Sequence, residues 1–246
     1  MRPFVPLWLG RVPYAEAFAL QRALHAARAE DRIPDVLLLL EHPPTVTHSF
    51  TGKGLENLVA TPELLAERGV VVEQTDRGGN ITFHGPGQLV GYPIVALEEG
   101  ERDLHRYLRS VEEVLLRLAR DHGVETDRVR KRTGTWIVDE TGWGLRKLAA
   151  IGVKCSRWVT LHGFAMNVTT DLGFFDLIVP CGLADAGVTS LQLETGATPP
   201  LEDVAADAAA RFAEVFERAP SLPDEALRML LAPRDAVPLT AAPKRN

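Results

Sequence analysis

Cysteine is scarce: the chain has two in 246 residues, Cys155 and Cys181, and no C-x-x-C pair. That scarcity excludes a disulfide framework, and because neither cysteine stands at metal-ligand spacing from His84 or His162 it argues against a zinc site. It fits a cytoplasmic chain, since a free thiol survives in a reducing compartment. Long apolar runs are missing as well, none approaching the roughly 20 residues of a membrane-crossing helix. The opening Met1-Arg2-Pro3-Phe4-Val5-Pro6-Leu7-Trp8-Leu9-Gly10 has prolines in its apolar stretch and no small-residue cleavage site, so neither a membrane anchor nor a signal peptide is expected. Positive charge is in deficit, with 27 Lys and Arg against 33 Asp and Glu, and a net charge of −6 speaks against a general nucleic-acid binder. Neither G-x-x-x-x-G-K-[ST] nor G-x-G-x-x-G occurs, which removes both common glycine signatures of a nucleotide-phosphate cradle. No internal repeat or low-complexity segment is present.

What the chain does contain is a patterned series of helices and strands. Tyr14 to Glu30 reads as a helix, with Leu20, Leu24 and Ala27 at helical spacing. Val36-Leu37-Leu38-Leu39-Leu40 is a buried strand halted at Pro43-Pro44. Thr61-Pro62-Glu63 has the order of an N-cap, a first-turn proline and a first-turn acid, so a short helix is expected to run to Arg68 and stop at Gly69. Leu104, Tyr107, Leu108, Val111, Val114, Leu115 and Leu118 make the clearest amphipathic stripe, closed by His122-Gly123. Further strands are expected at Val70 to Glu73, Leu89 to Val95 and Val159 to Val168, and a second long helix at Leu201 to Arg218. Thr135 to Val138 and Lys147 to Val153 flank the turn-like Glu140-Thr141-Gly142-Trp143-Gly144 as a hairpin in which Lys147 begins the second strand. Strands fill the middle and helices the flanks without regular alternation, which gives an α+β class with a mixed or mostly antiparallel sheet flanked by helices. The domain expected is residues 1–219, with 220–246 a C-terminal appendage whose Ala- and Pro-rich end is loosely ordered.

Three segments carry the chemistry. Pro180-Cys181-Gly182 sets a thiol between two residues that restrict the backbone, although a lone cysteine is also often a small buried hydrophobe. Arg77-Gly78-Gly79-Asn80-Ile81-Thr82-Phe83-His84-Gly85-Pro86-Gly87-Gln88 has Gly or Pro at five of its twelve positions, which suits a tight wall along which a substrate approaches the main chain. His84 in that wall is either a structural histidine or a polar group that orients a thiol or a water. Arg146-Lys147-Leu148-Ala149-Ala150-Ile151-Gly152 offers an ammonium in apolar surroundings. A free thiol has a pKa of about 8.5 and only a few per cent is ionised at pH 7. A nearby ammonium that lowers it by about 1.5 units must supply roughly 2 kcal/mol. Lys147 suits this better than Lys154, which stands beside Cys155; Cys155 itself reads as structural. Charge is uneven: Arg128 to Arg157 holds eight basic residues against Asp139 and Glu140, either a docking patch for an acidic partner or a solvated surface.

Taken in order, Arg77-Gly78-Gly79, Thr82, His84-Gly85-Pro86-Gly87-Gln88, Lys147, Gly152, His162-Gly163-Phe164-Ala165, Asn167 and Pro180-Cys181-Gly182 resemble the lipoyl(octanoyl) transferases of lipoate biosynthesis. The resemblance spans about Val36 to Leu191. It implies the fold of biotin and lipoate protein ligases, and transfer of octanoyl from octanoyl-acyl carrier protein to a specific lysine of the lipoyl domains of 2-oxoacid dehydrogenases and the glycine cleavage H protein. It implies Cys181 as the nucleophile that forms an octanoyl thioester and Lys147 as the group that lowers its pKa and relays protons. It places the acyl site at Arg77, Gly78, Gly79, Asn80, Ile81, Thr82, Phe83 and His84, at Ala150, Ile151 and Gly152, and at Gly163, Phe164 and Ala165. No cofactor, metal, membrane or nucleic acid is implied, and passage from thioester to amide needs no ATP. Three other readings remain open on the residues alone: an ATP-dependent lipoate or biotin ligase, a thiol hydrolase using Cys181 with His84 or His162, and a non-catalytic module that binds acyl groups or their carrier.

Overall fold

A computed structural model describes residues 1–49, 54–139, 144–179, 186–232 and 234–239. Its first half runs β1 (Arg2–Arg11), α1 (Tyr14–Ala29), β2 (Asp35–Glu41), β3 (Thr45–Ser49), α2 (Pro62–Glu67), β4 (Val71–Thr75), β5 (Ile81–His84), β6 (Gln88–Ile94) and α3 (Leu104–Asp121). The second half adds β7 (Asp127–Val129), β8 (Arg132–Val138), β9 (Leu145–Ser156), β10 (Val159–Asn167), β11 (Gly187–Val188), α4 (Leu191–Thr195), α5 (Leu201–Phe216), β12 (Arg218–Pro220), α6 (Glu225–Leu231) and β13 (Val237–Pro238). The large sheet has the order β12-β1-β2-β6-β10-β9-β8-β7, with β11 beside β9 and β13 beside β1. From β2 to β7 every neighbour along this path is antiparallel, whereas β1 is parallel to β2 and β12. A second sheet, β4-β3-β5, stands apart. The α+β class with a mostly antiparallel sheet flanked by helices holds.

Helices cover both faces of the large sheet, and this explains the unbroken apolar run in β2. Leu37 and Leu39 join α3 and α5 through Val111, Leu115, Val204 and Phe212. Val36, Leu38 and Leu40 join α1 and α6 through Leu20, Leu24, Leu227 and Leu231. A strand with helices on each side has no wet face, so alternation disappears. The Thr61-Pro62 signal acts as written, the Thr61 hydroxyl accepting from Leu64 N–H with Pro62 at the first position, and α3 has a cap that was not expected, the Asp103 carboxylate.

One expectation shifts, and both ends of the chain add further elements. Lys147 does not begin its strand but is the third residue of β9, paired with β8 from Val138 and Leu145 inward; the turn residues Glu140 to Trp143 lie outside the described residues. The opening segment, for which no element was expected, is a ten-residue strand. Pro6 lacks a donor but its carbonyl still accepts from Leu239 N–H at 2.9 Å. Residues beyond 219 contribute to the same core, because α6 packs on α1 and buries Leu227 and Leu231. Asp224 caps that helix, a signal present in the sequence.

A buried carboxylate fastens this C-terminal segment. Asp35, 2% exposed, accepts from Arg28 Nε at 2.8 Å, Arg218 Nε at 3.1 Å and Ala96 N–H at 3.0 Å. It therefore joins α1, β12 and the end of β6. Removing one member of such a cluster strands buried charge, at a cost of about 3–5 kcal/mol. Asp35→Ala is expected to lower the urea unfolding midpoint by an amount equivalent to that cost, whereas Arg11→Ala, which breaks an exposed pair with Glu41, leaves it within about 1 kcal/mol.

Candidate active site

A cavity of about 430 Å³ opens between the Asp76–Asn80 turn with β5 on one side and β6, β8, β9 and β10 on the other. That volume lies in the range of roughly 300–1,000 Å³ typical of small-molecule sites. Gly78 and Gly152 let the turn lie on the sheet. Gly78 N–H donates to Val153 O at 3.0 Å, and a Cβ on Gly152 would stand 2.7 Å from Gly78 O. The backbone approach leaves no room for a side chain there.

Arg77, 9% exposed, is fixed by neutral acceptors: its guanidinium donates to Thr47 O at 2.8 Å, Thr47 Oγ1 at 3.0 Å, Asn80 O at 3.1 Å and Gly78 O at 3.1 Å. Behind the turn, Asp76 accepts from His162 Nε2–H and from Lys154 Nζ, each at 2.7 Å. His162 has a left-handed backbone, φ 57°, and its N–H is held by the Gln21 side chain at 3.0 Å. These contacts hold Asp76 ionised below the usual carboxylate range against the opposing effect of burial, while burial pushes the His162 imidazole down despite Asp76.

A run of amide groups ends at His84. Asn167 Nδ2 donates to Thr189 O at 2.9 Å, Gln88 Nε2 donates to Asn167 Oδ1 at 2.9 Å and to Phe83 O at 3.2 Å, and Gln88 Oε1 meets His84 Nδ1 at 2.8 Å. The directions are forced. Each amide nitrogen faces an acceptor, so Gln88 presents oxygen to His84, Nδ1 carries the proton, and Nε2 keeps the lone pair. Burial first, then His42 and Arg77, push His84 well below the ordinary imidazole range, so the ring is neutral. His42 is neutral as well, lowered by burial to about 4, with Nδ1–H on Val12 O at 2.6 Å and Nε2 accepting from Tyr92 Oη at 2.8 Å.

Lys147 is aimed by a bulge. Thr135 pairs with Ala149 but Trp136 pairs with Lys147, so β9 carries one extra residue against β8, and such insertions re-aim neighbouring side chains. Gly134 accepts the distortion at φ 119°, where a Cβ would meet Ala149 O at 2.4 Å. Lys147 Nζ stands 4.5 Å from the centroid of the buried Trp136 ring, a cation–π contact. On its other edge β9 takes β11, with Val188 opposite Lys147 and Thr189 N–H on Lys147 O at 3.0 Å.

The structure brings together Lys147, Arg77, Gly78, Gly79, Thr82, His84, Ala150, Ile151, Gly152, Gly163, Phe164 and Ala165 around this one cavity. Three of the sequence-named residues face elsewhere. Ile81 and Phe83 alternate with Thr82 and His84 along β5 and pack in a separate core with Val46 and Phe175; Asn80 lies behind Arg77 and gives it a carbonyl. Cys181 and its neighbours Pro180 and Gly182 lie outside the described residues. Cys155 is half-buried in β9, and burial pushes its thiol up. Tyr14, Tyr92 and Trp136 also line the cavity and were not singled out from sequence, since single aromatics carry no local signal. Three of the eight residues of the basic stretch are ion-paired within the chain, Arg128 with Glu113 at 2.7 Å, Arg146 with Glu194 at 3.0 Å and Lys154 with Asp76 at 2.7 Å, while Arg130, Lys131 and Arg157 are exposed.

A family model for the lipoyl protein ligase A/B catalytic domain matches residues 13–213. The chain belongs to this family. The octanoyltransferase of Acidobacterium capsulatum is 51% identical over 221 residues, covering 85% of this chain and 89% of that protein. The octanoyltransferase of Chloroflexus aggregans is 46% identical over 221 residues, covering 89% and 98%. Like these relatives within the family, the protein is an acyltransferase. Among solved structures, lipoate-protein ligase A bound with ATP superposes with a TM-score of 0.69 at 16% identity, over 94% of this chain and 92% of that one. The putative lipoate protein ligase Ta0514 from T. acidophilum with bound lipoic acid gives 0.68 at 15% identity, over 94% and 92%. At these identities the likeness establishes the lipoate-ligase fold.

Beside the cavity, against Tyr92, His42 is held uncharged by burial, with a consequence for stability. His42 titrates near 4 when folded and near 6.5 when unfolded, so between those values the unfolded chain binds more protons. Its contribution is complete above about pH 6.5 and is lost as pH falls toward 4, on the order of 3 kcal/mol. In denaturant titrations from pH 7 to pH 4, His42→Gln is expected to lose stability with pH less steeply than the wild type; an identical slope would contradict the assignment.

Proposed function

We propose that the protein transfers octanoyl from octanoyl-acyl carrier protein to a specific lysine of lipoyl domains, by way of an octanoyl thioester on Cys181. The acceptor domains are those of 2-oxoacid dehydrogenases and the glycine cleavage H protein. The observation that carries this reading is the placement of Lys147. It sits on the wall of an acyl-sized cavity, one strand from β11, and β11 begins six residues after Cys181. Octanoyltransferases about half identical to this chain over most of its length support the same chemistry.

The two steps balance without an outside energy source. The Cys181 thiolate attacks the carbonyl of the carrier thioester, the new C–S bond forms, the old one breaks, and the carrier leaves as a thiol with the proton that Lys147 supplies. The lysine amine of the lipoyl domain then attacks the enzyme thioester, the C–N bond forms as the C–S bond breaks to the Cys181 thiolate, and the proton the amine sheds returns to Lys147. Thioester exchange is close to neutral and thioester to amide is downhill. Besides relaying that proton, Lys147 acts electrostatically in the first step, since an ammonium beside the sulfur favours the thiolate.

Intact mass after incubation with octanoyl-acyl carrier protein is expected to show one octanoyl group on the wild type, discharged on adding a lipoyl domain. Cys181→Ser is expected to carry none or a stable ester; transfer at the wild-type rate by that variant would remove Cys181 from its role. Lys147→Met returns the thiol toward its ordinary pKa of about 8.5 and is expected to slow acylation by on the order of tenfold at pH 7. That deficit is expected to shrink as the pH is raised to 9.

A further inference from the structure

We propose that Glu112 of α3 is a positioning residue for Lys147: its carboxylate holds the Gly134 N–H, fixes the register of β8, and so keeps the Trp136 ring against the Lys147 side chain. The geometry stands on α3, β7, β8 and β9 alone, and its effect on rate rests on the role given to Lys147 above.

Neither edge of β8 is regular beside Gly134. Toward β9, Thr135 pairs with Ala149 and Trp136 with Lys147, so Leu148 is an extra residue between them. Toward β7, Asp127 pairs with Trp136 and Val129 with Arg132, so Thr133, Gly134 and Thr135 stand opposite Arg128 alone. Extra residues interrupt a ladder, and the strands by themselves specify the register weakly here. A slip of one residue would turn Trp136 to the other face of the sheet, away from Lys147.

Glu112 supplies the missing constraint from the helix layer. Its side chain is 2% exposed, and Oε1 accepts from the buried Gly134 N–H at 3.2 Å. The other oxygen, Oε2, accepts from Arg109 Nη1 at 2.6 Å and stands 3.3 Å from Arg128 Nε. One oxygen thus balances charge and the other holds β8. Two residues beyond Gly134, the buried Trp136 gives its indole N–H to Arg132 O at 3.2 Å and meets Lys147 Nζ at 4.5 Å from the ring centroid. The arginines have other outlets, solvent for Arg109 and Glu113 at 2.7 Å for Arg128. A buried N–H deprived of its acceptor instead carries its full desolvation penalty, and β8 moves to relieve it.

Two conservative variants separate positioning from charge balance, because the two roles rank them in opposite order. Glu112→Gln keeps the length of the side chain and an oxygen for Gly134 but gives up the charge. Glu112→Asp keeps the charge for the arginines but draws the oxygens back by one methylene. The whole protein is labelled at about pH 8 with acetic anhydride and the modified lysines are read by mass spectrometry. Lys154 serves as internal reference, since its pair with Asp76 lies away from β8. Glu112→Asp is expected to raise labelling of Lys147 relative to Lys154 about threefold, the fold-change for losing a cation–π contact at a partly exposed site. Glu112→Gln and Arg109→Ala are expected to leave it at the wild-type level. Acylation by octanoyl-acyl carrier protein is expected to slow in Glu112→Asp with KM for the carrier unchanged. If Glu112→Gln raises labelling and Glu112→Asp does not, or if neither does, the positioning role is overturned and the reading of Lys147 stands. Raised labelling in Glu112→Asp with acylation at the wild-type rate supports the positioning and removes Lys147 from its proposed role instead.

Discussion

The close approach of two stretches of main chain, Gly78 over Gly152 and Val153, is the constraint on which the rest of the site depends. It turns a glycine-rich loop into the wall of a cavity, because the turn gains a hydrogen bond to β9 and loses any gap a side chain would need. Arg77 and Asp76 flank the contact and fix it from both ends. Arg77 saturates the carbonyls of the turn, and Asp76 ties the turn to β9 through Lys154 and to β10 through His162. Substrate atoms in this cavity thus meet backbone and neutral side chains together with the cations Arg77, Lys131, Arg132 and Lys147, the last beside its own bulge.

Most of what was local in the fold was legible in the sequence. The α3 stripe and its His122-Gly123 stop act within one helix, so periodicity suffices. The β2 run was legible as buried, although why it is buried on both faces is visible only with α3, α5, α1 and α6 in place. What could not be read was pairing over distance. The Gln88–Asn167 bond spans 79 residues and the Asp76–His162 bond 86, and neither residue type announces its partner. The basic stretch reads from its letters as either a docking patch or a solvated surface, and the partners of two of its arginines, Glu113 for Arg128 and Glu194 for Arg146, lie elsewhere in the chain.

The glycine-rich motif shows the same division at finer grain. Arg77, Gly78, Gly79, Thr82 and His84 line the cavity. Ile81 and Phe83 belong to the motif as text and to a different core as structure, since alternate residues of a strand face opposite ways. A motif written as consecutive letters mixes the wall of a site with the support behind it.

The arrangement at β1 carries a last consequence. This ten-residue strand, with Phe4, Val5 and Leu7 fully buried, borders β2 on one side, and its other side is shared between two short strands, parallel β12 at its start and antiparallel β13 further along. A long apolar strand with a bare edge is a template for pairing with another molecule. Here that edge is occupied in two pieces by segments from beyond residue 217, fastened by the Asp35 cluster. The segment after α5 thus protects the protein against self-association, and its loss would be felt first in solubility rather than in chemistry.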